Sequence, residues 1–190
     1  MKKLIFSIAL FTIILTACNN NSTSTAENDT TKSDESAITA DAGTSTSPIK
    51  GIVDGYLQLS QALAQDNDKN AAEAGKNIVA TMNRLDKSSF TAEQTKVYNE
   101  IEVDAKEHAE HISANVGNLK HQREHFDMLS NDVYDLVKTF GAGQTLYQAN
   151  CPMYNNNKGA NWLTASKEIK NPYMGTEMSS CGTIKEELNN

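Results

Sequence analysis

From Ile49 onward, apolar residues recur at intervals of three and four. Ile49, Ile52, Val53, Tyr56, Leu59 and Leu63 form one such stripe, which predicts an amphipathic helix. Ser47 and Pro48 are read as its N-cap and first turn. Asp66-Asn67-Asp68 stops that helix and can cap the next, lined by Ala71, Ala74, Ile78, Met82 and Leu85. Thr91-Ala92-Glu93-Gln94 has the form of a capping box. It opens a third helix with Val97, Ile101, Ala105, His108 and Ile112 on its apolar face. Gly117 is expected to close that helix and Asn118 to cap the fourth. Leu119, Phe126, Leu129, Val133, Leu136, Val137 and Phe140 line the fourth, and Gly141 ends it. Four amphipathic helices with short connections favour an all-α fold, a four-helix up-down bundle. No run of alternating apolar residues indicates a sheet. Residues 142–190 are rich in Gly, Asn and Pro and read as a loop-rich C-terminal extension, with a short helix near Trp162 to Lys170.

The pattern before Ile49 is different. Lys2 and Lys3 precede an apolar run from Leu4 to Leu15, broken only by Ser7 and Thr12. The run is short for a bilayer span and suits a signal peptide over residues 1–17. Leu15-Thr16-Ala17-Cys18 resembles a bacterial lipobox. The resemblance implies cleavage before Cys18 and its lipidation, and hence a membrane association carried by acyl chains. Residues 18–47 are Ser, Thr, Asn and Asp with almost nothing apolar, and read as a disordered tether. Its r.m.s. reach is on the order of 30 Å. The expected folded part is 48–190, a helical-bundle domain in the bacterial cell envelope, lipid-anchored and on the periplasmic side.

Charge narrows the partners. The chain carries a net −7, and loss of residues 1–17 removes two lysines and no acid, giving −9. An acidic surface argues against nucleic acid as a partner.

Candidate chemistry lies in two places. All four histidines fall between His108 and His125. His108 and His111 are three apart, His121 and His125 four apart, so each pair can share a helix face. A tight turn at 115–118 would bring the pairs near one another. His108 also fits a core position. The second place is the polar tail, where Cys151 and Met153 stand at one border and Met174, Met178 and Cys181 at the other. Cys151 and Cys181 in an oxidising compartment suggest a disulfide. Thioethers suit Cu(I), as thiolate and imidazole also do, and are poor ligands for hard ions. Cys151, Met153, Met178 and Cys181, with His125, His121, His111 and His108, are therefore the expected metal ligands, converging on one cluster. Met82 and Met128 read as core gap-fillers. The two readings of the cysteines, staple or ligands, both stand at this point.

The stretch CPMYNNNKGANWLTASKEIKNPYMGTEMSSCG closely resembles the end of a bacterial family of domains of unknown function. The family occurs as lipoproteins and as the C-terminal appendage of periplasmic copper/silver efflux adaptor subunits. Its pattern is matched by Cys151-Pro152-Met153, Lys158-Gly159-Ala160, Trp162-Leu163, Lys167, Ile169, Asn171-Pro172-Tyr173, Gly175, Met178 and Cys181-Gly182. His121, Arg123, His125 and Phe126 match a further family stretch. The resemblance implies a copper-linked periplasmic function, with a heavy-metal efflux adaptor as an expected partner. Met174 departs from the family pattern. Gly159 and Gly175 read as turns, and Trp162 as the cover of the junction between tail and bundle.

The expected function is that of a Cu(I) or Ag(I) binding lipoprotein that buffers metal or hands it to an efflux or maturation partner. The alternative is a disulfide-stapled interaction module without metal. No nucleophile elbow, phosphate loop or HExxH motif is present. The adjacent pairs Glu107-His108, Glu110-His111 and Glu124-His125 only partly imitate di-iron spacing. An enzyme is not expected.

Overall fold

The structure is a computed structural model and describes residues 47–189. The expected signal peptide, Cys18 and the expected tether up to residue 46 lie outside the described residues. Four long helices follow in order: α1 (Lys50–Ala64), α2 (Asp68–Asn83), α3 (Ala92–Ala114) and α4 (Leu119–Phe140). Each packs on the next in sequence, and α4 closes back on α1. Asn67 caps α2 through the Asn70 N–H at 3.0 Å. Thr91 and Gln94 form the expected capping box on α3. Asn118 caps α4 through the His121 N–H. Gly141 ends α4 at φ 72°, a conformation natural to glycine. Among the described residues, no helix is long and apolar enough to cross a membrane.

Helix ends differ from expectation at two points. α1 starts at Lys50, with no side-chain cap. Ser47 instead donates to Gly141 O at 2.5 Å, tying the chain's entry to the end of α4. The C-cap of α3 is Asn115, and Gly117, two residues on, donates its N–H to Asp68 Oδ2 at 2.6 Å. The apolar face of α3 is also turned from its expected setting. Tyr98, Ala105, Ala109 and Ile112 are buried there. Val97 and His108 sit at its margin, half-buried. Tyr98 is held by Phe90 and Phe140, which meet its ring edge-on.

The purely all-α expectation is corrected by the C-terminal segment. β1 (Leu146–Cys151) is the centre of a three-stranded antiparallel sheet between β2 (Ala160–Thr164) and β3 (Thr183–Leu188). The helix expected near Trp162 is strand β2, followed by bends. Two features hid the sheet. A register shift between Gln148 and Ala149 breaks the alternation of β1, so that Leu146, Ala149 and Cys151 are its buried residues. In β2, Trp162 and Leu163 are both buried although consecutive, because both faces of the strand are covered there. Met153 leads into a short helical turn, Tyr154–Asn157, whose Asn155, Asn156 and Asn157 all have positive φ. Asparagine tolerates that region better than most residues.

A node of hydroxyls fastens the sheet to the bundle. Tyr56 of α1 shares a hydrogen bond with Ser130 of α4 at 2.8 Å, and its oxygen accepts from Leu163 N at 3.0 Å. Tyr173 donates to Asn161 O at 2.5 Å. Trp162 is buried at this junction, edge-on to Tyr173. A second fastening is ionic. Arg123 of α4 donates to Pro172 O, Leu63 O and Asp66 Oδ1. The Thr176 N–H and hydroxyl donate to the other oxygen of Asp66.

Candidate metal centre

The α3–α4 hairpin decides where the histidines stand. Its turn is fixed from within by Gln122, whose Nε2 donates to Asp68 O and Ile112 O, both at 3.0 Å. With 3.6 residues per turn, His108 and His111 lie on one flank of α3, and His121 and His125 on one flank of α4. The turn brings these flanks face to face. His111, His121 and His125 each offer one ring nitrogen, and these nitrogens lie within 4.8 Å of one another. His125 is the hub. It stacks on His111 at 4.2 Å with 8° between the planes, meets His121 at 4.6 Å, and faces His108 with 3.3 Å between the Nδ1 atoms.

Burial is the first cause that disfavours the charged form of His125, and the imidazoles of His111, His121 and His108 add to it. Together they bring His125 from 6.5 down to about 4. Burial also lowers His108, against the carboxylates of Asp104 and Glu107. The shifts favour neutral His125 and His108 rings, and neutral imidazole is the form that binds metal. Tetrahedral nitrogens on bonds of about 2.0–2.1 Å stand roughly 3.4 Å apart, so ring rotation of about an ångström closes the trio on an ion. The His111 side chain is 44% exposed, which leaves the trio open to solvent.

The sulfur residues form a separate group. Cys151 is buried at the end of β1, and Cys181 is half-buried after the 3-10 turn Gly175–Met178. Their sulfurs are 3.6 Å apart, and both thiols are free. Burial raises the Cys151 thiol, but Asn171, the N–H groups of Met153 and Tyr154, and Cys181 favour the thiolate, and the balance lies below the ordinary thiol range. Cys181 is raised, by burial and then by the neighbouring Cys151. Met153 is 47% exposed beside the pair, while Met178 is half-buried and its carbonyl accepts from Cys181 N at 3.0 Å. Met174 packs on the core. Met82 is a core residue as expected, whereas Met128 is 40% exposed and fills no gap.

The histidines and the cysteines are thus described as two groups, each with its own close approach. Among the described residues, the group of three or more His, Cys, Asp or Glu close enough to share an ion is His111, His121 and His125. His125 faces α3, while Arg123, two residues away and so about 200° around the helix, bonds the Pro172 carbonyl on the C-terminal side.

Three residues with a bearing on these groups were not anticipated. Asp132 brings Oδ2 within 4.0 Å of His108 Nε2. Burial, then Asp104 and Asp135, raise its carboxyl to about 6. Its spacing of seven from His125, two helical turns, was the available signal. Asn171 donates to Cys181 O at 2.6 Å, and its Oδ1 accepts from the N–H groups of Tyr173 and Met174. Its place in the Asn171-Pro172-Tyr173 motif carried no sign of this link. Gln122 carried no sequence signal beyond its place between two histidines.

Residues 52–145 match the model of a family described as a protein of unknown function (DUF3347). The match covers the four-helix region with all four histidines and ends before β1 and the cysteines. No curated protein matches the chain, and no solved structure does.

Proposed function

We propose that this protein is a metal-binding lipoprotein of the bacterial cell envelope, held by Cys18 and its acyl chains, that takes up copper and buffers it or passes it to an efflux or maturation partner. The observation that carries the reading is the approach of His111, His121 and His125 to within 4.8 Å. Three imidazoles on two packed helices form a preorganised donor set for a first-row transition ion. His111 lies at the open side, where an ion can arrive and leave by ligand exchange. The thiol pair supports copper in particular. Thiolate and thioether select Cu(I) or Ag(I), and imidazole accepts copper in either valence. Cys151, Cys181, Met153 and Met178 are the sulfur ligands of this reading. A heavy-metal efflux adaptor is the proposed recipient. The resemblance of the C-terminal motif to the appendage of such adaptors supports that choice.

The test is a titration of the reduced protein with Cu(I) against a chromophoric chelator, and with Cu(II) and Zn(II) by calorimetry. The wild type is expected to bind, and the His111→Ala/His125→Ala double variant to lose the imidazole-bound ion. Stoichiometry near zero for all three ions ends the proposal.

One observation favours a second reading. Two sulfurs 3.6 Å apart need only small rotations to form a disulfide. Such a bond would staple the tail and leave an interaction module without metal. Its signature is a mass two hydrogens lower in the exported protein, with no change in melting temperature on adding metal.

A further inference from the structure

His108 was expected as a ligand beside the other three histidines, yet its donor atoms are not in the trio. Both of its ring nitrogens face specific groups. Nδ1 is 3.3 Å from His125 Nδ1. Nε2 is 4.0 Å from Asp132 Oδ2, an oxygen buried without any hydrogen-bond partner. Asp132 and His108 side chains are 21% and 17% exposed, so water reaches this corner poorly.

We propose that His108 and Asp132 are positioning residues of the metal centre, which hold His125 in its Nδ1–H tautomer and leave its Nε2 lone pair for the ion. This rests on the metal-binding reading of the trio for its functional meaning, but the tautomer itself is a property of the metal-free protein.

The choice follows from proton accounting. Two imidazole nitrogens at 3.3 Å need one proton between them. Suppose first that it sits on His108. Neutral His108 then has a bare Nε2 turned toward a carboxylate oxygen, lone pair against negative charge. Asp132 Oδ2 keeps no donor, which is costly for a buried oxygen. His125, accepting at Nδ1, must carry its own proton on Nε2, and no lone pair remains for metal. Suppose instead that the proton sits on His125 Nδ1. It donates to His108 Nδ1, and His108 carries its proton on Nε2, aimed at Asp132. A small tilt of the His108 ring turns the 4.0 Å separation into a hydrogen bond and satisfies Oδ2. His125 Nε2 is then free. The second arrangement leaves only the His125 Nε2 lone pair without a partner; the first leaves His108 Nε2, Asp132 Oδ2 and the His125 Nε2–H without one. A carboxylate that orients a ligating histidine is a general device of metal sites. Here the orientation passes through an intermediate imidazole. Glu124 approaches His121 Nδ1 at 3.5 Å and Glu107 approaches His111 Nε2 at 3.8 Å, which favours Nε2 of His121 and Nδ1 of His111 as the other ligand atoms.

The test is long-range proton–nitrogen NMR of the imidazoles in the full folded chain, before and after Zn(II), a diamagnetic ion that imidazole binds. Wild-type His125 is expected as the Nδ1–H tautomer without metal, with Zn(II) shifting its Nε2. Asp132→Ala should mix the His125 tautomers and weaken Zn(II) about 10-fold or more, within the range of about 10–100-fold for outer-sphere partners. Asp132→Asn keeps an acceptor oxygen and should preserve the tautomer, which a role in packing alone does not predict. An Nε2–H tautomer for wild-type His125 overturns the inference, as does an Asp132→Ala variant that folds and leaves tautomer and affinity unchanged. If Asp132→Ala does not fold, the wild type and Asp132→Asn still decide. Zn(II) that fails to bind a wild type with the Nδ1–H tautomer refutes the metal reading and leaves the positioning intact.

Discussion

Arg123 offers the sharpest quantitative test of how the C-terminal segment is held. It lies on α4 beside the histidine hairpin, with its side chain only 14% exposed. Replacement by Met keeps most of the aliphatic stem and removes the guanidinium. Three donations are lost: to Pro172 O at 2.8 Å, to Leu63 O at 2.9 Å and to Asp66 Oδ1 at 2.5 Å. A hydrogen bond from a charged group contributes about 1.5–3 kcal/mol net. The three are not additive, since one cation makes them all and Asp66 retains both Thr176 donors. Asp66 is also a third exposed, which weakens its share through solvent screening. The expected loss for Arg123→Met is therefore about 3 kcal/mol. For a domain of roughly 140 residues this corresponds to a fall of about 10 °C in Tm.

Urea unfolding at neutral pH measures it, read as a lower midpoint at unchanged slope. Arg84→Met is the control. That exposed arginine donates only to Ala80 O within its own helix, and its loss should cost well under about 1 kcal/mol. In a double-mutant cycle, Arg123→Met and Asp66→Asn should couple by about 1 kcal/mol or more. Equal effects of Arg123→Met and Arg84→Met, or a cycle that closes to zero, would refute the clamp.

Three further outcomes follow from the same contacts. His125 is depressed from 6.5 to about 4, so the folded state binds fewer protons than the unfolded one between those values. The stability this provides is present above about pH 6.5 and is lost as pH falls toward 4; His125→Gln should flatten that limb of a stability–pH curve, and an unchanged slope counts against a neutral His125. Gly175→Ala should cost more than about 2 kcal/mol, because φ is +59° and a Cβ would overlap the Asp66 carboxylate and the Arg123 guanidinium; a neutral result in thermal unfolding contradicts the packing described. With the thiols reduced, an alkylating reagent should label half-buried Cys181 and reach buried Cys151 only on unfolding; mass spectrometry showing equal rates would exclude the enclosed position of Cys151.

The helices were legible because their signals are local. Thr91 and Gln94 find each other three residues apart, and the stripe of α4 from Phe126 to Val137 repeats without a break. α3 was harder. Val97 and Tyr98 are neighbours, and either could lead the apolar face. The aromatic pocket of Phe90 and Phe140 selects Tyr98, and that choice carries Ala109 inward and turns His108 to the margin. The sheet depends on features that periodicity does not report. A bulge in β1 puts its buried residues out of phase, and two covered faces remove the alternation from β2. The Asn155–Asn157 run, which reads as loop, is the left-handed turn between β1 and β2.

The setting of the imidazoles relative to the contacts of the C-terminal segment follows from the same helix geometry. A mixed sulfur–imidazole cluster would need the tail to meet α4 on the flank of His121, His125 and Asp132. The tail instead meets α4 through Arg123, Phe126, Ser130 and Tyr134, whose partners are Pro172, Tyr173 and Glu186. Arg123 and His125 differ by two positions, and two positions on an α-helix are nearly opposite faces. Soft-donor composition was visible along the chain, but composition has no direction. The side of α4 that meets the C-terminal segment is marked by the arginine clamp, and the clamp appears only when Asp66, Arg123 and Thr176, far apart in sequence, are seen together.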